Sequence, residues 1–253
     1  MTPIILYNNL FRNGTLTASS TNADSAYDVV NIIDWRSYTL WKSGSVETVT
    51  IAVELAGAAP ANTIGIFNHN LGTAGATVKV QYENSGWQTA LTFEPANDKS
   101  ILKIFDTSSH TNWRIEISSL GAVPYIGTMY LAERLEFLWP PVIPVDPVQE
   151  SIQIEGEYSR AGDFLGGLLT YNPIRVSQRF TLITRAWYDT YFKPFWNLHG
   201  KLLRPFFYAV DLEVNTDDVY FLQFDPAFVR RNPFSLKTYY DEFSIDLIGV
   251  SEE

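Results

Sequence analysis

The sequence predicts an all-β protein: a jelly-roll β-sandwich followed by a second β-sandwich that carries one short α-helix. Runs that alternate apolar and polar residues recur between turn residues along most of the chain. Aromatic residues, which suit the half-buried surface of a sheet, make up 15% of the composition. Four prolines between Trp139 and Val148 mark the point at which the pattern changes.

The proline-rich segment WPPVIPVDPV predicts a domain boundary. Proline cannot donate to a β-ladder, and it stiffens an extended chain. We therefore predict a first domain over residues 1–137, a semi-rigid linker over 138–149 and a second domain over 150–253. A chain of 253 residues accommodates two domains of ordinary size.

The first domain is predicted to consist of short strands with no amphipathic helix. In the run ATVKVQYEN, for example, Val78, Val80 and Tyr82 alternate with polar residues, which is the period of a strand with one buried face. The predicted strands are 48–56, 63–71, 76–84, 100–106, 112–120 and 125–137. Many short strands at near-regular spacing favour an antiparallel sandwich or jelly roll.

The second domain is predicted to combine strands with one helix. The strand-like runs are 150–160, 174–186, 204–212, 219–225 and 242–250. Between them, residues 185–201 place Trp187, Tyr191, Phe195 and Leu198 at helical spacing. Pro194 is expected to kink or divide this helix, and Gly200 lies where a C-cap is expected.

The charge balance argues against several classes of partner. The chain has 18 Lys and Arg against 28 Asp and Glu, a net charge of −10, which repels phosphate backbones and anionic lipid. We therefore expect no sequence-specific nucleic-acid binding. No apolar run approaches the roughly 20 residues of a membrane span, and the first residues lack the basic start of a signal peptide, so we expect a soluble cytoplasmic product without membrane insertion. The chain has no cysteine, which excludes disulfides and thiolate sites.

No catalytic or metal motif stands out. The three histidines, His69, His110 and His199, lie far apart and form no HxH or HExxH motif, and there is no GxSxG elbow. Carboxylate pairs such as Glu133/Glu136 and Asp217/Asp218 are expected by chance among 28 acids. We predict that the protein is not an enzyme and that it needs no cofactor or metal. His69 is expected to end a strand and to hydrogen-bond a turn.

The stretch NADSAYDVVNIIDWRSYTLWKSG, residues 22–44, is too apolar for an ordinary loop and too irregular for a helix or strand. Trp35, Arg36 and Tyr38 are the candidate ligand-binding residues, because aromatic rings stack on sugars and polar groups bond their hydroxyls. In the alternative interpretation, Trp41 packs beneath the sheet and Trp35 covers the turn. Four residues also carry oxygens that suit a structural Ca²⁺, although without the spacing of an EF-hand loop: Asn22, Asp24, Ser25 and Asp34.

Two segments of the second domain are candidates for contacts between subunits. The run AGDFLGG, which contains Phe164, lacks a phosphate-binding motif and suits a hairpin tip or an inter-subunit loop. The run VRRNPF places Arg230 and Arg231 together on an acidic chain, as an interface anchor or as a solvated turn.

The first domain resembles the galactose-binding-like, discoidin-type jelly rolls. Those domains commonly open with an Asn/Ser-rich stretch, an apolar NLLD turn and a T-x-W-x-S motif. Here Asn31-Ile32-Ile33-Asp34 corresponds to the turn and Thr39-Leu40-Trp41-Lys42-Ser43 to the second motif. The run TIGIFNHNLGTAGATVKVQYEN continues the resemblance, as in the many such domains on phage structural proteins.

The second domain is similar to the ring-forming β-sandwich of tail-tube and distal tail proteins of long-tailed bacteriophages. In that family a strand leads into a short aromatic helix, another strand follows a glycine, and a final strand closes the sheet. Residues 179–184, 187–199, 200–208 and 243–250 match this order. The order of the two domains is the reverse of that in the usual distal tail protein, which places its ring domain first.

The two resemblances imply a structural subunit of a phage tail tip or baseplate. Its partners would be copies of itself in a hexameric or trimeric ring, together with other tail-tip, tube and baseplate proteins. It would belong to the virion and be assembled in the host cytoplasm. The alternative function is a carbohydrate-binding module, or receptor-adhesion protein, that contacts host surface glycans. A glycan-cleaving tail enzyme is a third hypothesis, which only unpaired acidic residues support.

Overall fold

The computed structural model describes residues 2–142, 148–150, 153–212, 216–227, 239–240 and 243–250. These residues form mainly β-strands, and every helical segment among them is short. The prediction of an all-β fold is therefore confirmed. None of the described helices has the length and apolar character needed to cross a lipid bilayer.

The chain forms two compact units. The N-terminal unit comprises Ile4–Glu136 and Phe207–Val219, and the C-terminal unit comprises Met1–Pro3, Phe137–Phe206 and Tyr220–Glu253. This grouping differs from the predicted domains, because the later segment Phe207–Val219 groups with the N-terminal strands and the segment Met1–Pro3 groups with the C-terminal unit. Part of the predicted linker lies outside the described residues, and its role as a linker stays a prediction.

The N-terminal unit contains nine strands before residue 137. They are β1 (Ile4–Leu6), β2 (Gly14–Ala18), β3 (Trp41–Lys42), β4 (Val49–His69), β5 (Thr77–Glu83), β6 (Trp87–Phe93), β7 (Ile101–Ser118), β8 (Tyr125–Ala132) and β9 (Leu135–Glu136). Three 3₁₀ turns, Leu10–Arg12, Ser25–Tyr27 and Val29–Ile33, connect the first strands. The sequence did not predict β1, β2, β3 or β6.

Alternating residues on these strands build the core of the N-terminal unit. Trp113, Ile115 and Ile117 on β7 are fully buried, as are Val78 and Val80 on β5. Each of these side chains removes its apolar surface from water, which is the main favourable contribution to folding. The predicted strand periodicity is therefore confirmed.

Strands β4 and β7 are long and bent, and each contributes to both layers of the sandwich. The first part of β4 pairs with β2 and with the end of β7, whereas its last part pairs with β8 and the start of β7. The β4–β7 register shifts between Glu54 and Ala59 and again between Ala61 and Thr63. Gly57 and Pro60 lie in this irregular region, as expected for a bulge that turns a strand. The sequence predicts two separate strands for each of β4 and β7, and the structure instead has one bent strand in each place.

Residues 207–209 also pair with the strands of the N-terminal unit. Strand β1 pairs with β9 and with a later strand, in the register Ile4↔Ala209 to Leu6↔Phe207. Phe207 is fully buried, and its ring lies against Gly65 on β4. A Cβ atom added to Gly65 would lie 2.7 Å from Phe207 Cδ2, which is too close for van der Waals contact.

The C-terminal unit is organised around an antiparallel sheet. The later strands are β10 (Gln149–Glu150), β11 (Gln153–Tyr158), β12 (Phe164–Tyr171), β13 (Pro173–Phe180), β14 (Ile183–Thr184), β15 (Phe206–Ala209), β16 (Val219–Phe224), β17 (Tyr239–Tyr240) and β18 (Phe243–Val250). Two of them, β15 and β16, also include residues that group with the N-terminal unit. Strand β13 pairs with β10 and, over its whole length, with β18, which also pairs with β16. Strands β14 and β17 form a separate two-stranded ladder.

The predicted helix is present but contains a π turn. It consists of α1 (Arg185–Trp187), a π-helical turn over Tyr188–Phe192 and α2 (Lys193–Leu198). Pro194 has no N–H to donate, and just before it the Lys193 N–H bonds the Tyr188 carbonyl five residues back. Pro194 therefore divides the helix, as predicted.

The π turn changes which side chains are buried. The predicted apolar face contained Tyr191 and Leu198, but these are 53% and 44% exposed. The two other predicted residues, Trp187 and Phe195, are buried, and they are joined by Tyr188 and Phe192. A π turn adds a residue to the turn, so it displaces the later residues from the regular spacing that the prediction assumed.

Gly200 does not have the predicted C-cap role. It begins a 3₁₀ turn, Gly200–Leu202, and the left-handed conformation is adopted by Leu203, with φ of 50°. The reason for a glycine at position 200 is close packing, because a Cβ atom there would lie 2.2 Å from the ring of Trp196.

Aromatic rings form most of the core of the C-terminal unit. Phe137 stacks on Phe180 with ring centroids 4.2 Å apart. Phe192 meets Phe243 edge-on at 4.6 Å, and Phe195 meets Phe206 edge-on at 4.8 Å. Offset and edge-to-face arrangements of this kind contribute about 0.5–1.5 kcal/mol per pair beyond area burial.

The contact between Gly65 and Phe207 gives a test of the core packing. We expect Gly65→Ala to lower the free energy of unfolding by about 1–3 kcal/mol, because the new methyl group must displace the Phe207 ring. Gly57→Ala is the matched control, since a Cβ atom there meets nothing within 4 Å. The control should change stability by less than about 0.5 kcal/mol. Urea unfolding followed by tryptophan fluorescence measures both variants, and equal stability of the two would contradict this packing.

Candidate ligand-binding site

The loop of residues 34–40 is fixed to the sandwich by hydrogen bonds. Asn68 Nδ2 donates to the Ser37 carbonyl at 2.9 Å, and Thr128 Oγ1 donates to the Asp34 carbonyl at 3.3 Å. Asn68 has a positive φ of 52°, a conformation that asparagine tolerates better than most residues. The loop is therefore held in place by β4 and β8.

Polar side chains cap the 3₁₀ turns before this loop. The carboxylate of Asp24 accepts from the Ala26 N–H, and that of Asp28 accepts from the Val30 N–H, both at 3.0 Å. The side chain of Asn22 accepts from the Asp24 N–H. Among the described residues, no group of three or more His, Asp or Glu is placed to hold a metal ion. Of the residues considered for Ca²⁺, Asp24 thus caps a 3₁₀ turn, and Asn22 bonds the backbone of that cap residue.

Trp41 has the structural role given by the alternative interpretation. It is fully buried in the N-terminal core, and its indole N–H donates to Thr21 Oγ1 at 3.3 Å. Its strand, β3, pairs with β8 through Trp41↔Ile126. Trp41 is therefore unavailable to a ligand.

Trp35 is only partly buried and lies beneath an arginine. The guanidinium carbon of Arg12 lies 3.9 Å from the centroid of the Trp35 ring system. Arg12 Nη1 also donates to the Ile33 carbonyl, which fixes the guanidinium group over the ring. Such a cation–π contact contributes about 0.5–1 kcal/mol at an exposed site. One face of Trp35 is thereby covered.

An open cleft lies beside this stacked pair, at the start of β2. Its volume is 570 Å³, and it is lined by Arg12, Asn13, Gly14, Thr15, Glu54, Leu55 and Ala56. Arg12 supplies hydrogen-bond donors, Glu54 supplies acceptors, and Asn13 and Thr15 supply both. Because β2 pairs with β4 through Thr15↔Glu54, the two polar side chains are neighbours across the strands.

The predicted ligand-binding residues are not all at this cleft. Trp35 contacts Arg12, which lines the cleft, whereas Arg36 and Tyr38 are not among the lining residues. Arg36 lies 3.6 Å from the Asp34 carboxylate, and Tyr38 is 76% exposed. A ligand-binding role for Trp35, Arg36 and Tyr38 stays a prediction.

Sequence analysis did not find Arg12, Asn13, Thr15 or Glu54. Arg12, Asn13 and Thr15 lie together in the 3₁₀ turn and the start of β2, whereas Glu54 comes from β4, which is distant in the sequence. The run FRNGT carries a turn signal in Asn13-Gly14, but nothing in the sequence indicates that Trp35 lies against Arg12. Only the fold brings these groups together.

His69 holds the turn after β4, as predicted. It is 2% exposed, its Nδ1 accepts from the Leu71 N–H at 3.1 Å, and its Nε2 lies 2.9 Å from the Lys99 carbonyl. These partners require a neutral ring with the proton on Nε2. Burial lowers the pKa of His69, and the Lys99 carbonyl and the Asp98 carboxylate only partly oppose this effect.

The segment that contains Phe164 forms a hairpin, as predicted. Strands β11 and β12 pair with each other, and the described strands provide them with no further partner. The Ser159 N–H donates to the Asp163 carbonyl at 2.8 Å across the tip. Large apolar side chains are 62–70% exposed along the hairpin: Tyr158, Phe164, Leu165 and Leu168. An interface role for Phe164 stays a prediction, and the two other predicted interface residues, Arg230 and Arg231, lie outside the described residues.

No protein-family model matches this chain, and no curated protein matches it. Several solved structures are similar to about half of it. Chitosan-binding module 1 from a chitosanase/glucanase of Paenibacillus sp. IK-5 is 20% identical, covers 49% of this chain and 98% of its own, and gives a TM-score of 0.43.

A Clostridium perfringens structure in complex with GalNAc-β-1,3-galactose is 13% identical and covers 51% of this chain and 99% of its own, again with a TM-score of 0.43. A Ruminococcus gnavus fucosidase in complex with fucose is 16% identical and covers 51% of this chain but 27% of its own, with a TM-score of 0.43. At these low scores and identities, the similarities carry no argument about the ligand or activity of this chain.

The buried neutral His69 gives a pH prediction. Because its folded pKa is below the unfolded value of about 6.5, the unfolded chain binds more protons as the pH falls through that value. The His69 contribution to stability is therefore complete above pH 6.5 or so and declines below it. Urea unfolding at pH 7.5 and pH 5.5 should show this loss in the unmodified protein.

His69→Gln separates this effect from the titration of other groups. The variant should be less stable at pH 7.5 by about 1–3 kcal/mol, because backbone groups lose their partners. Its stability should then change less between pH 7.5 and 5.5 than that of the unmodified protein. The same change in both proteins would show that His69 is not the titrating group.

Proposed function

We propose that the N-terminal unit is a carbohydrate-binding module. The observation that carries this proposal is the cleft beside the stacked Arg12–Trp35 pair, in which an ordered arginine adjoins side chains with both donors and acceptors. Binding sites for small polar molecules combine an apolar surface with a few placed polar groups in this way. No catalytic activity is proposed.

The chemistry of the cleft suits a ligand rich in hydroxyl groups. Each hydroxyl both donates and accepts, so it can bond Arg12 and Glu54 at the same time. One N–H of Arg12 donates to the Ile33 carbonyl, and the guanidinium group stacks on Trp35. Because the Arg12 side chain is already ordered, it loses less conformational entropy when a ligand binds. The exposed Ala56, which also lines the cleft, offers apolar surface to the C–H face of a sugar ring.

The ligands to test first come from the names of the similar structures. These include modules described as binding chitosan and one described as binding pectin. Chitosan and pectin together represent cationic and anionic polysaccharides. Host cells and lipopolysaccharide should be tested as well, because an adhesion protein would bind them. The cleft itself holds one cation, Arg12, and one anion, Glu54.

Substitution of the stacked pair tests the proposal. Trp35→Ala and Arg12→Lys should each weaken glycan binding by about tenfold, because the first removes the ring that orients the Arg12 guanidinium group and the second removes the planar donor itself. Trp139→Ala is the matched control, since Trp139 is 53% exposed and belongs to the C-terminal unit. Affinity electrophoresis and a glycan array measure the binding.

The control variant should bind like the unmodified protein. If Trp35→Ala and Arg12→Lys also bind unchanged while the unmodified protein binds a glycan, the cleft is not the site. Absence of binding to every glycan, host cell and lipopolysaccharide preparation would contradict the function itself.

A second candidate function is a subunit of a phage tail tip or baseplate that forms or joins a ring. One observation favours it: the exposed apolar hairpin β11–β12, since an isolated hairpin is marginally stable and gains from burial against a neighbour. In this proposal the neighbours are copies of this chain and other tail proteins, around the channel through which DNA passes.

Native mass spectrometry tests this second function. Ring formation should give species of three or six chains. Phe164→Ser should reduce these species, because it removes an apolar side chain from the proposed interface. Tyr191→Ser, which changes a residue 53% exposed on the helix, is the control. A monomer at all concentrations that is also absent from assembled tails would exclude this function.

A further inference from the structure

The two faces of the hairpin β11–β12 differ in chemistry. On one face the rings of Tyr158 and Phe164 lie over Gly156, where an added Cβ atom would be 3.5 Å and 3.3 Å from them. Because successive residues of a strand point to opposite sides, Glu155 and Glu157 belong to the other face. Both glutamates are exposed, and within the described part of the chain neither forms a salt bridge.

An exposed leucine lies beside these carboxylates. Leu168 is the Cα partner of Glu155, so the two side chains are on the same face, and Leu168 is 70% exposed. We call Glu155, Glu157 and Leu168 the acidic face of the hairpin. The tip carries Arg160 and Asp163, whose charges cancel, so the hairpin has a net charge of −2 that comes from the acidic face.

A second surface of the C-terminal unit combines leucines with positive charge. It is the turn that follows the helix, residues 198–204, which we call the leucine turn. Three of its side chains are 38–56% exposed: Leu198, Leu202 and Leu203. Lys201 is exposed, and Arg204 Nη1 donates to the Leu198 carbonyl at 3.3 Å. The turn contains no acidic residue, so Lys201 and Arg204 give it a charge of +2.

The leucine turn is ordered and has a strained backbone. Leu203 has a φ of 50°, in the left-handed region that large side chains seldom adopt. The Arg204 N–H donates to the His199 carbonyl at 3.1 Å, and Nδ1 of the buried His199 lies 3.0 Å from the Pro205 carbonyl. Strain of this kind is concentrated at functional positions, which supports a role for the exposed leucines beyond packing.

Charge restricts what can cover each surface. Two acidic faces placed against each other would bring four carboxylates together, and two leucine turns would bring four cations together, so neither surface suits a copy of itself. Anionic lipid would repel the acidic face. The leucine turn has the opposite charge of the same size, −2 against +2, and it also offers exposed leucines to Leu168. Both surfaces remain exposed in one chain, so they do not cover each other within it.

We propose that the acidic face of one copy of this chain binds the leucine turn of a second copy. Leu168 packs against the leucines of the turn, and Glu155 and Glu157 pair with its two cations. This inference rests on the second candidate function, for which it names the two surfaces that join neighbouring subunits. Because the two surfaces differ, the contact is head-to-tail, and it generates a ring or an open filament and not a two-fold dimer.

Two variants that each remove one surface test the proposal. Glu155→Lys/Leu168→Ser changes the acidic face, and Lys201→Glu/Leu202→Ser changes the leucine turn. Each should raise the dissociation constant for self-association by about tenfold or more, because an apolar contact and an ion pair are lost together. Sedimentation velocity and native mass spectrometry measure the association. Tyr191→Ser, at a helical residue 53% exposed and outside the turn, is the matched control and should assemble like the unmodified protein.

Mixing the two variants distinguishes a head-to-tail contact from a symmetric one. The hairpin variant retains its leucine turn, and the turn variant retains its acidic face. An equimolar mixture, with one variant labelled with ¹⁵N, should therefore form a pair that contains one copy of each and nothing larger. A symmetric contact through the hairpin would instead leave the turn variant assembled by itself and give no mixed pair. Urea unfolding of each variant checks that a loss of association is not a loss of fold.

Three results would overturn the inference. If either variant assembles like the unmodified protein, a different surface joins the copies, and the ring function stands without this contact. If folded variants form no mixed pair, the contact is not head-to-tail between these surfaces. If the unmodified protein is monomeric at every soluble concentration, the contact is excluded, whether or not the protein sediments with vesicles of phosphatidylcholine and phosphatidylglycerol. The ring function is then judged separately, by the presence of the protein in assembled tails.

Discussion

The burial of one face of β4 and β7 is the constraint on which the rest of the N-terminal unit depends. Each of these strands bends and enters both layers, so the residues Ile51 and Ile64, far apart on β4, belong to one core. A one-residue slip of either strand would turn its buried face outward. Every loop and outer face described above is therefore positioned by the same packed interior.

The cleft proposed as a binding site arises from this interior. Strand β2 pairs with the first part of β4 and brings Thr15 next to Glu54, while the 3₁₀ turn before β2 directs Arg12 over Trp35. On the same sheet, the buried residues of β5 and β7 oblige their neighbours to face outward in register.

Ring-to-ring contacts form a large part of the core of the C-terminal unit, beside buried aliphatic side chains such as Val176 and Leu247. Phe243 on β18 contacts Phe192 in the helix, and Phe180 on β13 contacts Phe137. The π turn before Pro194 is the local feature that directs Phe192 and Phe195 inward. The helix thereby leaves Tyr191 and Leu198 exposed, and the hairpin β11–β12 exposes still more apolar surface.

The sequence by itself determined the all-β class, the buried alternation of strands such as β5, the position of the helix and the structural roles of Trp41 and His69. These features follow from local periodicity and turn chemistry, which depend on residues that are close together in the sequence. Tertiary structure alone decided that β4 and β7 are continuous, that Tyr191 faces outward and that Arg12 covers Trp35. Each of these depends on strand register or on a contact between distant segments, and a periodic pattern contains no information about which distant residues meet.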